Sequence, residues 1–168
     1  MLEKFLTPQA ILIILISAVG SIYDCKSRRI PNWLTLGSFV LILAYHTVRL
    51  NLHDALQCIL GLIVGILLLI IPYLMGGMGA GDVKLLGVIG ALVGYKDILW
   101  IFFYTALCGL VFGVLWIIAR PDHLKFLITT GKILPPVDKK QKLPYGVAIL
   151  FGVIVYLFLG TDKIHLFG

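Results

Sequence analysis

The stretch Pro72-Tyr73-Leu74-Met75-Gly76-Gly77-Met78-Gly79-Ala80-Gly81-Asp82-Val83-Lys84-Leu85 interrupts the most apolar part of this chain, and the fold turns on how it is read. It closes a charge-free run, residues 55–81, that would be roughly 40 Å long if wholly helical. Proline lacks a backbone donor and glycine frees the chain, so Pro72, Gly76, Gly77, Gly79 and Gly81 predict that the run does not end as regular helix. The run beyond it, 82–95, covers only about 21 Å as a helix. That is short of the roughly 30 Å of hydrocarbon that a spanning helix must cross. If the surroundings are lipid, the Gly-rich turn and Asp82 lie below the membrane surface. Irregular backbone survives at that depth only against protein or a water-filled cavity.

Composition says that the surroundings are lipid. Of 168 residues, 60% are hydrophobic and 13% are charged. Soluble domains carry about 25% charge, and a globule of this size has too much surface to hide so many apolar side chains. Disorder needs the opposite composition. The alternation expected of membrane barrel strands is absent. The expectation is an all-α, polytopic membrane protein, one domain over residues 1–168. Its six transmembrane helices fall at 5–23, 30–48, 55–81, 85–95, 98–119 and 143–161, with the Gly-rich irregular segment before the fourth. The first run lacks a small-residue cleavage site, and five more apolar runs follow, so it reads as a retained span.

Charge sets the orientation. Net charge is +6, but the cations lie between apolar runs, so topology explains them before nucleic acid does. Six spans put ten cations on one side: Lys26, Arg28, Arg29, Lys84, Arg120, Lys125, Lys132, Lys139, Lys140 and Lys142. Four, Lys4, Arg49, Lys96 and Lys163, fall on the other. The positive-inside rule then puts both termini outside the cell membrane and Asp24 and Asp82 on the cytoplasmic side. The long loop, residues 120–142, reads equally as a solvated connector or an interfacial segment. Cys25, Cys58 and Cys108 are scattered singly, with no CxxC pair, so neither a metal site nor a cofactor is expected.

With so few charges, each acid needs an explanation. Glu3, Asp97, Asp138 and Asp162 each adjoin a lysine and read as solvated flank charges, with Asp54 and Asp122 similar. Asp24, taken alone, reads as a polar helix end before a basic loop, with Pro31 starting the next helix. Asp82, taken alone, reads as a helix N-cap, yet an ionisable group at membrane depth on a Gly-rich break is a functional candidate. Together they suggest more. Two carboxyls on one side of a bundle cannot both ionise easily, so they share a proton. The ionised one can take a proton from water, and the protonated one can give a proton to a carbonyl oxygen. Such a pair hydrolyses a peptide bond without metal or covalent intermediate.

Three motifs carry a resemblance. Gly79-Ala80-Gly81-Asp82 matches the GxGD motif of intramembrane aspartyl proteases. With Val83-Lys84-Leu85 and Gly90-Ala91-Leu92-Val93-Gly94, it resembles the type IV prepilin peptidase family. Asp24 with Arg29-Ile30-Pro31-Asn32-Trp33-Leu34-Thr35 is similar to that family's first catalytic segment, and Leu143-Pro144-Tyr145-Gly146 to its last-helix motif. The resemblance implies an endopeptidase that removes the basic leader of prepilin-like or preflagellin-like precursors at the cytoplasmic membrane face, with Asp24 and Asp82 catalytic. It leaves Gly79, Gly81, Lys84, Pro31, Asn32, Pro144, Tyr145 and Gly146 as supporting or substrate-positioning residues. Larger members carry CxxC pairs and a methyltransferase activity; the lack of CxxC and the short lead-in before the first run imply the peptidase-only branch. Presenilin-like and signal-peptide peptidases share GxGD but expect Pro-Ala-Leu where this chain has Pro144-Tyr145-Gly146.

Other readings remain for some of these residues. Lys84 either tunes the acid pair, holds a substrate carbonyl or reaches to the headgroups. The pairs Gly61/Gly65, Gly90/Gly94 and Gly109/Gly113 suit close helix packing. A small ion- or proton-coupled transporter using Asp82 in a broken helix is the rival function, and a non-catalytic scaffold is the second. The partners implied are a prepilin-like substrate and membrane lipids; oligomeric state is not legible. The basic face suits anionic headgroups better than a basic leader. Cleavage is therefore expected to change little as salt rises, and a steep loss in a salt series would show capture by charge instead.

Overall fold

A computed structural model of the chain describes residues 8–27, 30–48, 52–75, 77–118 and 145–159. These form five helices: α1 (Pro8–Ser27), α2 (Asn32–Val48), α3 (Leu52–Leu74), α4 (Ala80–Ile118) and α5 (Tyr145–Leu159). Three hold stretches long and apolar enough to cross a membrane, Ala10–Ser27, His53–Leu74 and Ala80–Leu115, while the apolar parts of α2 and α5 are shorter. Large apolar side chains such as Leu41, Leu74 and Leu110 stand exposed on the outside of the bundle. Water would not tolerate so continuous an apolar surface; lipid does. The loop 120–142, Pro144 and the terminal segments lie outside the described residues.

The fourth and fifth expected segments are one element, α4, and no loop separates them. The chain instead turns at Gly94, where φ is 84° and ψ is 170°. That conformation suits a residue without Cβ. Ile98 Cγ1 lies 3.2 Å from where a Cβ on Gly90 would sit. Eight residues of unbroken helix would separate them by about 12 Å, so residues 95–118 fold back along 80–93. The expected short run is thus the first limb of a hairpin.

Close backbone contact builds the rest. Gly61 of α3 faces Gly90 of α4 backbone to backbone, and Gly65 lies on Leu86 and Gly87. Without a hydrophobic force between helices in lipid, such small-residue contacts supply the packing. Gly152 of α5 sits against Thr105 of the second limb, and Phe151 meets Phe112 at 5.3 Å between ring centroids. Leu85, Leu86, Ile89, Ile98, Ile101, Ile149 and Val153 fill the core between these limbs. α1 reaches the first limb through Gly20, which lies under Leu85.

Two sequence expectations are corrected here. Gly94 makes the turn as well as a helix contact, its backbone carbon 3.0 Å from where a Cβ on Gly61 would sit, while Gly113 faces open space, so only Gly109 of the later pair packs, against Tyr145. Asp97 is not merely a solvated partner of Lys96. It accepts a hydrogen bond from Tyr156 of α5, a side chain only 5% exposed.

Gly61→Ala should destabilise the protein by about 1–3 kcal/mol through overpacking, and Gly94→Ala by about 1–3 kcal/mol through backbone strain. Gly113→Ala should stay within about 0.5 kcal/mol. Reversible unfolding of the three variants in bicelles checks the ranking.

Candidate active site

Asp24 lies in the last turns of α1 and is 6% exposed. Its Oδ2 accepts the backbone N–H of Gly146 at 3.0 Å, a contact between residues 122 apart in sequence. Gly146 is the second residue of α5. Backbone N–H groups in a helix's first turn have no partner within the helix, and that end carries the positive pole of the dipole. Asp24 therefore caps α5 from another helix. A Cβ on Gly146 would stand 3.0 Å from Asp24 Cβ and 3.2 Å from Oδ2, so a side chain there would press the carboxyl off its donor.

Asp82 is 4% exposed and lies in the first turn of α4. It is not the N-cap that its sequence context suggested. Its own N–H donates to the Gly79 carbonyl at 3.2 Å, and its Oδ2 accepts the Gly79 N–H at 3.1 Å. This reach back from inside the first turn has the logic of a capping box. It uses only one carboxyl oxygen: Oδ1 is buried and has no hydrogen-bond partner among the described residues.

The two acids belong to one site. Asp24 stands within electrostatic range of Asp82. Asp82 is in turn within range of the Tyr145 phenol, which also feels Cys108 of the second limb. The Tyr145 ring packs over Gly109, its Cε2 3.0 Å from where a Cβ there would be. One end of the bundle thus gathers the end of α1, the starts of α4 and α5, and the middle of the second limb.

The α1–α2 turn is tied to the same end. Ile30 lies on Gly81, its Cβ and backbone N 2.9 and 3.0 Å from where a Cβ on Gly81 would be. Lys84 Nζ donates to Asn32 Oδ1 at 2.8 Å on the exposed rim. The Pro31 carbonyl accepts the Leu34 N–H at 3.1 Å and starts α2. Of the sequence-nominated residues, Asp24, Asp82, Gly79, Gly81, Lys84, Pro31, Asn32, Tyr145 and Gly146 therefore come together. Pro144 is outside the described residues.

Sequence reasoning missed three contributors. Ser21, 6% exposed, has its backbone against Gly146; its place three residues before Asp24 puts both on one helix face. Thr35 is buried, and its hydroxyl donates to the Asn32 carbonyl at 3.3 Å. Ile30 stands in the Arg29–Thr35 motif without a role of its own, and only the fold reveals that it bears on Gly81.

Comparison with known proteins gives the chain's family. Residues 11–114, which include both acids, match the type IV leader peptidase family. A prepilin leader peptidase/N-methyltransferase of Bacillus subtilis is 29% identical over 160 residues, covering 94% of this chain and 58% of the relative. A protein of the same description from Xanthomonas campestris is 30% identical over 148 residues, covering 84% of this chain and 46% of the relative. The chain thus spans about half the length of the curated relatives it matches. No solved structure matches it. A family match over most of the chain, enclosing both buried aspartates, means that this chain belongs to the type IV leader peptidase family.

Proposed function

We propose that the chain is a six-span aspartyl endopeptidase that removes the basic leader of prepilin-like precursors at the cytoplasmic face of the cell membrane. The observation that carries this reading is the convergence of Asp24 and Asp82, each nearly buried, at the N-terminal end of α5. Two carboxylates within electrostatic range of each other and so poorly hydrated repel, and a single shared proton relieves the repulsion. The pair then holds a base and an acid side by side. The base draws a proton from water as its oxygen attacks the scissile carbonyl carbon. The acid donates to the carbonyl oxygen, which otherwise would gather negative charge in a medium that cannot solvate it.

The hairpin at Gly94 supports the span count, and the cation bias supports the orientation. If each limb of α4 crosses the membrane, the five helices make six passages, and the site falls on the cation-rich side. The family assignment supports a peptidase, and the prepilin description of the relatives supports the substrate class.

Asp24→Asn and Asp82→Asn should each reduce cleavage of a co-expressed prepilin by at least roughly 100-fold while the protein remains folded. Persistent processing by either variant would falsify the dyad. A transporter would instead lose solute flux in Asp82→Asn alone.

The rate should also follow a bell against pH. On the acid side the pair takes up a second proton and has no base. On the alkaline side it loses its last proton and has no acid. A profile flat across both limits in reconstituted vesicles would exclude a shared proton.

A further inference from the structure

We propose that the two carboxyls divide the work in one sense only: Asp82 carries the shared proton on Oδ1 and is the general acid, and Asp24 is the carboxylate that activates water. This rests on the dyad reading above and goes beyond it, because a two-acid pair by itself does not say which member does what.

The asymmetry lies in the hydrogen bonds. Asp82 Oδ2 accepts the Gly79 N–H at 3.1 Å, whereas Oδ1 is buried without a partner among the described residues. That pattern fits a neutral carboxyl, with Oδ2 as its carbonyl oxygen and Oδ1 as its hydroxyl. A carboxylate there would leave a charged oxygen both desolvated and unbonded, which costs far more than an unbonded neutral hydroxyl. Asp24 has the opposite setting. Its Oδ2 accepts an otherwise orphaned N–H at the positive end of α5, and a hydrogen bond from that pole strengthens when the acceptor is charged.

Among the described residues, the groups facing Asp82 leave this assignment intact. Asp24 comes from α1 and Tyr145 from α5. Cys108 of the second limb lies beyond Tyr145. Lys84, two residues along α4, is turned to the exposed rim, where it bonds Asn32 of α2. Within α4's first turn, no cation is therefore held against Oδ1 that would keep it ionised.

The proton balance then closes. Asp24 takes a proton from water as the water oxygen bonds to the scissile carbonyl carbon, and Asp82 Oδ1 gives its proton to the carbonyl oxygen. The product is a neutral gem-diol. Asp24 next passes its proton to the amide nitrogen, Asp82 takes one from a diol hydroxyl, and the C–N bond breaks. The leader leaves with a new carboxyl end and the mature chain with a free amine. Both aspartates finish as they began.

Two measurements on the full chain in bicelles test this, beside the cleavage assay. With isotope-labelled aspartate, the infrared carboxylic-acid C=O band at the pH of maximal activity should be present in the wild type, kept in Asp24→Asn and lost in Asp82→Asn. In the unmutated protein, the Gly146 amide reports on Asp24 directly. It belongs to the chain's single Tyr–Gly pair, so labelling Tyr carbonyls and Gly nitrogens isolates its signal. That resonance should hold its carboxylate-bonded position throughout the active pH range and move only on the acid limb. The inference is overturned by a band lost in Asp24→Asn and kept in Asp82→Asn, by no acid band in the wild type, or by a Gly146 amide that moves on the alkaline limb. Those results with both Asn variants inactive would leave the dyad standing and reverse or remove the assignment. An active Asn variant would remove the dyad itself. The Gly146 signal needs no variant, so it decides the matter even if one fails to fold.

Discussion

A helix that begins inside a bundle in lipid must find acceptors for its first N–H groups, because each one left buried and unmet costs several kcal/mol. A carboxylate at the same depth must find donors, at greater cost. Asp24 and Gly146 meet both demands in one contact. That contact ties the first helix to the last, and the rest of the site follows from it. With the start of α5 held on Asp24, Tyr145 is brought beside Asp82 and over Gly109. The acid pair is then assembled by the same bond that satisfies the backbone.

Glycine sets how near the pieces come. Gly61 and Gly90 bring α3 and α4 together at the backbone, Gly81 admits Ile30, and Gly146 admits Asp24. In each case a methyl group would occupy the space in which the partner now stands. α2 is attached differently. Ile30, the Asn32–Lys84 bond and the edge contact of Trp33 with Tyr23, 6.1 Å between centroids, hold it at the site end, while Leu36, Val40 and Leu41 on its flank remain exposed. The framework of the acid pair is therefore closely packed, and its neighbour on the rim is held at its start by these contacts and farther along by Ile42, buried in the core.

Much of this was legible without coordinates. Helical class followed from composition, and Asp82 stood out because it sat on a Gly-rich break that no flank position explained. Resemblance to the prepilin peptidase motifs brought in the Tyr145-Gly146 pair and singled out Asp24. Other parts were not legible, because they depend on which surfaces meet. Asp97 follows Lys96 directly, and adjacency in sequence suggested a solvated pair; its hydrogen bond from Tyr156 is made between helices. Ser21 and Thr35 looked like ordinary small polar residues until the fold buried them. Gly94 does pack on Gly61, as its four-residue spacing from Gly90 suggested, but that spacing does not reveal the single dihedral that reverses the chain.

That reversal has a consequence for what the protein tolerates. A loop absorbs length changes, whereas a turn made at one residue transmits them. Inserting or deleting one residue between Gly94 and Ile98 would advance or retard the second limb by about 100° about its axis. Gly109 would then swing out from under the Tyr145 ring, and Thr105 away from Gly152. The limb is in effect a keyed shaft, whose angular phase is set at the far end of the bundle from the acids it helps to enclose.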